Sequence, residues 1–335
     1  MTTTDVESPH ITFVQAANAA LAEALAEDER VLLLGEDIGD KQGGGVAKIT
    51  SGLSTKFGDD RVRSTPISEQ AIMGAAIGAS LAGMLPVAEI MLMNFLTVAM
   101  DQLFNHAAKL RYMSGGQSSV PITIRTDTGG GFGFGAQHSD MLEAWLAHSP
   151  GLKVVLPSTP ADAKGLLLSC IFDDDPCVVI EHNGFFFGGS KGPAPEPNAR
   201  VPLGVAKTIC EGSDVSIIGY GKPILDAHDV AVGLAAEGIS VEVIDLRTIS
   251  PFDERAVLES VGKTKRAVVV HEAVKRFGVG AELASRINEE LFGELLAPVR
   301  RVGSRYSPVP YSRPLEKAFL PSASTIEQAV RDVLG

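Results

Sequence analysis

A chain of 335 residues is long enough for two domains of ordinary size, each with its own core. Its 45% hydrophobic content and 35 glycines suit an α/β protein with tight strand–helix turns, and its net charge of -12 argues against nucleic acid, whose binding needs a basic face. Cys170, Cys177 and Cys210 are an odd number without CxxC spacing, which argues against a disulfide framework or a zinc site and suits a reducing, cytoplasmic setting.

Residues 1–10 are polar and acidic and read as neither a signal nor a transit peptide. Residues 12–27 recur in apolar character at helical spacing. Val31–Leu34 reads as a short buried strand, with Gly35-Glu36-Asp37-Ile38-Gly39 as the loop at its carboxyl end. Ligand groups gather at that end of open α/β sheets, so Glu36 is a candidate active-site carboxylate; the alternative is a solvated turn acid. Gly43-Gly44-Gly45 lacks the Gly-Lys-Ser/Thr ending of a phosphate-binding P-loop.

The stretch Thr65 to Ala79 organises the chain. Pro66 keeps Thr65 extended, Ser68 suits an N-cap, and Glu69 then falls in the first turn of a helix. Gly74, Ala75, Gly78 and Ala79 give that helix a face that another backbone can approach closely. Few charges lie near Glu69 in sequence, so apolar surroundings are expected. Burial raises a carboxyl's pKa and a helix N-terminus lowers it, a balance that suits sharing a proton with a ring nitrogen. These residues alone leave open a glutamate that only steadies the helix. The apolar run Ala71 to Ala88 approaches membrane-spanning length, but its alanine and glycine content, Pro86 and Glu89 point to a buried helix of a non-membrane protein.

Pro86–Ile90 reads as a strand, Asp101–Met113 as a helix with a basic end, and Val120–Arg125 as another buried strand. The glycine loop Asp127 to Gly135 follows. It matches a dinucleotide-binding GxGxxG imperfectly, since Ala136 takes the last place. His138 comes directly after it, where an imidazole can exchange a proton with a bound substrate or simply hold a carbonyl. Residues 153–160 form a strand and turn, 161–172 a helix, and 177–181 a strand; the alternation indicates a parallel sheet. Asp173-Asp174-Asp175-Pro176 reads as a solvated turn or an oxygen-ligand cation site. The composition turns to glycine and proline after Asn183. A linker is expected over 191–205, between a domain at 1–190 and a second at 206–335. The second domain carries strands near 214–219, 240–245 and 266–271, the last ending at the rim residues His271 and Glu272, and a closing helix at 324–334.

Taken together the motifs resemble the beta subunit of the thiamine-diphosphate-dependent decarboxylase component of 2-oxo acid dehydrogenase complexes. The resemblance spans nearly the whole chain. It rests on LLLGEDIG (32–39), TPISE (65–69), KLRYMSGGQ (109–117), AQHSD (136–140), PGLKVVLPSTPADAKGLLL (150–168), DDDP (173–176) and IDLRTISPFD (244–253). It implies a transketolase-like α/β fold, a pyrimidine-binding domain with a parallel sheet followed by a transketolase C-terminal α/β domain.

The resemblance further implies that Glu69 hydrogen-bonds the aminopyrimidine of the cofactor. A proton passed to that ring favours the imino tautomer, which activates the thiazolium carbon. Phe95 and Met91 match positions that pack on the pyrimidine. Glu36 matches a glutamate of proton communication between active sites, and His138 a histidine that assists acyl transfer to a lipoyl arm. Ile122, Cys170, Asp173 and Asp175 match a potassium site built largely from carbonyl oxygens. The Gly-Asp-Gly motif that holds magnesium and the diphosphate is missing from this sequence. The resemblance therefore implies an alpha subunit that carries magnesium and the diphosphate, an α2β2 heterotetramer, and a lipoyl acyltransferase core as partner. Pyruvate, branched-chain 2-oxo acid and acetoin members are not separated by these motifs. A carboligase without a lipoyl partner and a non-catalytic scaffold are the remaining readings.

Overall fold

Strands and helices alternate through the chain and assemble into two mainly parallel sheets. The computed structural model describes residues 10–335, and the reading of residues 1–9 as a non-targeting segment lies outside them. In chain order the strands are β1 (His10–Thr12), β2 (Val31–Glu36), β3 (Val62–Thr65), β4 (Leu85–Leu92), β5 (Thr123–Thr128), β6 (Lys153–Val155), β7 (Cys177–His182) and β8 (Lys191–Pro193). They continue with β9 (Lys207–Cys210), β10 (Val215–Gly219), β11 (Val241–Asp245), β12 (Thr248–Ser250), β13 (Ala267–Val274) and β14 (Arg300–Ser304). The larger sheet has the order β12-β6-β7-β5-β4-β2-β3, and the smaller β14-β13-β10-β11-β9. Within these two sheets pairing is parallel except at β12–β6 and β11–β9, and β1 and β8 form a separate antiparallel pair.

The central strands are apolar along their length because both faces of the sheet are covered. Every residue of β7 is buried, as are the first five of β2. On one face lies the helix Phe13–Glu27. It starts at a capping box: Gln15 N–H donates to Thr12 Oγ1 at 3.1 Å, and Thr12 N–H donates to Gln15 Oε1 at 2.8 Å. Its Ala17, Ala20, Leu21, Ala24 and Leu25 share a core with Leu167, Leu168 and Ile171 of the helix Pro160–Ile171. Pro160 opens that second helix behind the N-cap Thr159. On the opposite face Ile72, Met73, Ala76 and Ile77 join Leu96 and Leu103. This second core runs on into the other sheet, from Leu156, Val178 and Ile180 to Ile218, Tyr220, Ile244 and Leu246. Each such buried aliphatic side chain contributes about 1.5–3 kcal/mol, so the two sheets are docked by a continuous apolar seam.

Some boundaries differ from those expected. The helix after Pro66 is Glu69–Leu81, thirteen residues, and ends before Gly83 at φ +93. Among the described residues no helix is long and apolar enough to cross a membrane. The segment expected as one helix over 101–113 is π-helical across Gln102–Ala107 and α-helical across Ala108–Met113. β5 extends to Thr128, so Asp127 stands on the strand rather than in the glycine loop.

The proline-bearing stretch 191–205 is tied to the first sheet's helices. β8 pairs with β1, Val201 N–H donates to the Gly165 carbonyl, and Ser169 Oγ donates to the Val201 carbonyl. β12 crosses in the other direction and closes the edge of the larger sheet beside β6. Glycine and proline composition marks where a helix or central strand must stop; it does not say what the interrupted segment packs against.

Candidate active site

The carboxyl ends of β2, β3, β4 and β5 form one rim, and most of the residues singled out from the sequence stand on it. Glu36 is the last residue of β2, and Glu69 opens the helix that follows β3. Phe95 lies in the helical turn Met93–Leu96 directly after β4, and His138 in the turn Ala136–Ser139 beyond the glycine loop after β5. All four are half-buried. The Phe95 and His138 rings meet edge to face with centroids 5.5 Å apart. Asn94 staples the two turns together. Its Nδ2 donates to the Ala136 carbonyl at 3.2 Å and to Asp140 Oδ2 at 3.0 Å, while Thr128 Oγ1 donates to the Asp140 carbonyl at 2.7 Å.

Glu69 does not sit in the wholly apolar surroundings expected from its sequence neighbours. Ser68 and Gln70 are exposed, and the Ser68 hydroxyl makes no capping bond. The charge of Glu69 is felt at the end of another strand. Burial raises the Glu36 carboxyl above its ordinary range, and the charge of Glu69 adds to that shift, ahead of Asp37 and Glu89. Glu36 therefore holds its proton to a higher pH than a free carboxyl does, on the same rim as Glu69. Among the described residues His138 Nδ1 is buried without a hydrogen-bond partner, a polar atom open to a bound group.

Met91 faces a different neighbourhood. It lines a cavity of about 20 Å³ with Glu89, Arg125, Asp127, Glu181 and Phe186. The Arg125 guanidinium there reaches Glu89 at 2.5 Å and binds Glu181 in bidentate fashion at 3.1 and 2.5 Å. Asp127 lies opposite Glu181 in the β5–β7 register, and its Oδ1 is buried without a partner among the described residues. Burial, then the charges of Glu181 and Glu89, push the Asp127 carboxyl up to about 8, with Arg125 opposing. None of these charges was singled out as functional from the sequence. The available signal was Glu89, Arg125 and Glu181 interrupting otherwise apolar strands, and the sheet register brings them together.

A carboxyl whose folded pKa is raised favours folding fully below its unfolded pKa, and that contribution is lost as pH rises through the folded value. Asp127 therefore costs stability progressively from about pH 4 to about pH 8. Asp127→Asn is expected to flatten the fall in urea midpoint between pH 6 and pH 9. Equal slopes in variant and parent would show that Asp127 does not titrate there.

The glycine loop gives its N–H groups to carboxylates of the second sheet's domain. Gly130 N–H donates to Glu272 Oε1 at 2.7 Å, and Gly131 and Gly133 N–H donate to the two oxygens of Glu316 at 2.8 and 2.9 Å. Gly129, Gly131 and Gly133 all have positive φ, which turns successive amides inward as an anion-holding nest. Those donors are taken within the chain, so the loop is not a dinucleotide phosphate cradle. Glu272 Oε2 also meets His182 Nε2 at 2.7 Å, while His182 Nδ1 accepts from Gly184 N–H at 2.8 Å.

The rim fits one half of thiamine diphosphate. A carboxyl, an aromatic ring and an unpartnered imidazole nitrogen suit an aminopyrimidine. The excess of carboxyls at the same strand ends repels a diphosphate. The expected potassium ligands fit poorly. Asp173 is held by Lys153 Nζ at 2.6 and 2.7 Å, and Asp175 by Arg111 Nη1 at 3.0 Å. The Ile122 and Cys170 carbonyls already accept from Cys177 and Asp173 N–H. Only second lone pairs on carbonyl oxygens remain for a cation there.

Two parallel-sheet domains with a carboxylate, ring and imidazole on one strand rim define a transketolase-type chain. Residues 9–185 match the transketolase pyrimidine-binding domain and residues 204–326 the transketolase C-terminal domain. The chain belongs to the family of beta subunits of the 2-oxo acid and acetoin dehydrogenases. It is 45% identical to the beta subunit of acetoin:2,6-dichlorophenolindophenol oxidoreductase of Cupriavidus necator, over 95% of this chain and 96% of the relative. It is 43% identical to the pyruvate dehydrogenase E1 component subunit beta of Bacillus subtilis, over 97% and 98%. It is 40% identical to the 2-oxoisovalerate dehydrogenase subunit beta of the same organism, over 96% and 98%. The fold matches a split-gene transketolase, solved as an inactive beta4 tetramer, with a TM-score of 0.76 at 24% identity, covering 97% of this chain and 98% of that one.

Proposed function

We propose that this chain is the catalytic beta subunit of a thiamine-diphosphate-dependent 2-oxo acid dehydrogenase of the pyruvate or branched-chain type. It takes part in decarboxylating a 2-oxo acid and acylating a lipoyl arm. The observation that carries this reading is the joint position of Glu69, Glu36, Phe95 and His138 on one strand rim. Thiamine diphosphate, when bound, supplies the nucleophilic carbon and the electron sink. Glu69 holds and takes back a proton at the aminopyrimidine nitrogen. Glu36, whose carboxyl is raised by burial and by the charge of Glu69, stands with it on the rim, and Phe95 offers its ring as a packing surface. His138, fixed against Phe95, exchanges a proton with the acyl acceptor.

The diphosphate and magnesium then belong to an alpha subunit, in an α2β2 assembly. Exposed apolar side chains support such a partner: Ile67 is 83%, Tyr112 91% and Met113 62% exposed, and Ala71, Ala75 and Gly78 of the Glu69 helix are exposed too. Free cysteines suit a cytoplasmic setting. The acetoin reading uses the same residues and is supported to a similar degree by relatives 45% and 41% identical.

Purified alone, the chain is expected to show no turnover; co-purified with an alpha partner, it should decarboxylate a 2-oxo acid and acylate a lipoyl domain. A panel of pyruvate, branched-chain 2-oxo acids and acetoin separates the substrate readings. Robust turnover by the isolated chain would overturn the split site. Decarboxylation without lipoyl acylation would move the assignment to a carboligase.

A further inference from the structure

His138 can act on a substrate only where the loop that delivers it is fixed. That loop runs from the end of β5 at Thr128 to the turn Ala136–Ser139 and is rich in glycines with positive φ. Such a segment has many accessible conformations unless something outside it selects one. Its far end is held by Asn94 and Thr128. Phe132 and Phe134 pack on Phe187 of the first domain, with ring centroids 5.7 Å apart in each case, and Asn183 Nδ2 donates to the Gly129 carbonyl at 3.2 Å; the amides of the loop's middle are held from the other domain. Glu316 stands in the helix Arg313–Phe319 and is 1% exposed; Glu272 stands on β13 and is 5% exposed.

The two oxygens of Glu316 are used on Gly131 and Gly133, and no cationic side chain is paired with it among the described residues. A buried carboxylate needs such donors, and the loop amides need an acceptor, so each satisfies the other. Nearby side chains complete the mould. A methyl group on Gly135 would stand 2.2 Å from the Tyr311 ring, one on Gly130 2.9 Å from Leu320, and one on Gly129 2.2 Å from the His182 ring.

We infer that Glu316, assisted by Glu272, is a positioning residue for His138: the C-terminal domain holds the glycine loop in the one conformation that presents the imidazole to the acyl acceptor. The inference rests on the acyl-transfer role proposed for His138. It adds that two carboxylates of the second domain, remote in sequence, set the geometry of a step carried out on the first.

The test uses the assembled holoenzyme with Glu316→Gln, which keeps one acceptor oxygen but turns an amide N–H₂ toward a loop N–H. Hydrogen–deuterium exchange over residues 129–139 should rise while the rest of the chain keeps its protection. The rate constant for acylating a lipoyl domain should fall about 10- to 100-fold, the size of effect a small misplacement of a reacting group produces, with KM for the 2-oxo acid unchanged. The double variant Glu316→Gln/His138→Ala should lose no more than His138→Ala alone, because both act through one group. Additive losses, or equal impairment of decarboxylation and acylation, would overturn the inference. So would unchanged exchange, or failure of both Glu316→Gln and Glu272→Gln to assemble, which marks a purely structural role. Failure of the functional reading shows separately, as a parent holoenzyme that decarboxylates no member of the panel; the exchange measurement then still judges the clamp.

Discussion

Glu69→Ala in the assembled enzyme is expected to slow hydrogen exchange at the thiazolium carbon by about 10²- to 10⁴-fold, the range for losing a positioned proton-transfer group. The fold should survive. The Glu69 side chain makes no hydrogen bond within the described residues, and its helix is anchored instead by Ile72, Met73, Ala76 and Ile77. Glu69→Gln preserves the shape and the hydrogen-bonding reach but cannot pass a proton. It should therefore lose nearly as much as Glu69→Ala. Cofactor titration with the alpha partner present separates affinity from activation: binding should weaken modestly while exchange collapses. Normal exchange in Glu69→Gln would show that the carboxyl only steadies the helix.

Position along the strands was legible in the sequence because it follows from local rules. Apolar runs gave β2, β5 and β7, Pro66 and Ser68 marked the helix start, and the rim rule placed Glu36 at a strand's carboxyl end. Surroundings were not legible, because they come from residues distant in the chain. Few charges lie near Glu69 in sequence, yet its own charge acts on Glu36, at the end of a strand 33 residues earlier in the chain. The glycine loop read as a phosphate cradle or a substrate loop; its actual anions, Glu272 and Glu316, stand well over a hundred residues later. Met91 and Phe95 lie close in sequence, but β4 gives way to a helical turn between them. Phe95 reaches His138, while Met91 lines the cavity of buried charges. Glu36, Glu69, Phe95 and His138 thus share one rim while Met91 does not, and the register of the sheets added partners that no single motif contains.

That buried charge cluster sets the second large effect. Arg125 is 2% exposed and bonds Glu181 through two nitrogens and Glu89 through a third. Arg125→Met keeps much of the apolar bulk but leaves Glu89, Glu181 and Asp127 with no cation between them. Breaking a buried pair by removing one partner costs about 3–5 kcal/mol, more than the intact pair adds over an apolar replacement. The loss should grow with pH. Without Arg125 the remaining carboxyls fold only by holding protons, so their folded pKa values rise, and stability falls as pH climbs through them. Denaturation midpoints of Arg125→Met should therefore drop more steeply from pH 6 to pH 9 than those of the parent. Adding Glu181→Gln should recover part of the loss by removing one uncompensated charge. The effect should also reach the active site. Glu89 borders Gly35 and is among the charges that raise Glu36, so freeing it from Arg125 strengthens its repulsion of the rim carboxyls. A stability change within about 0.5 kcal/mol, the range of ordinary surface substitutions, would mean that the three carboxyls already carry protons in the folded chain and that Arg125 neutralises nothing.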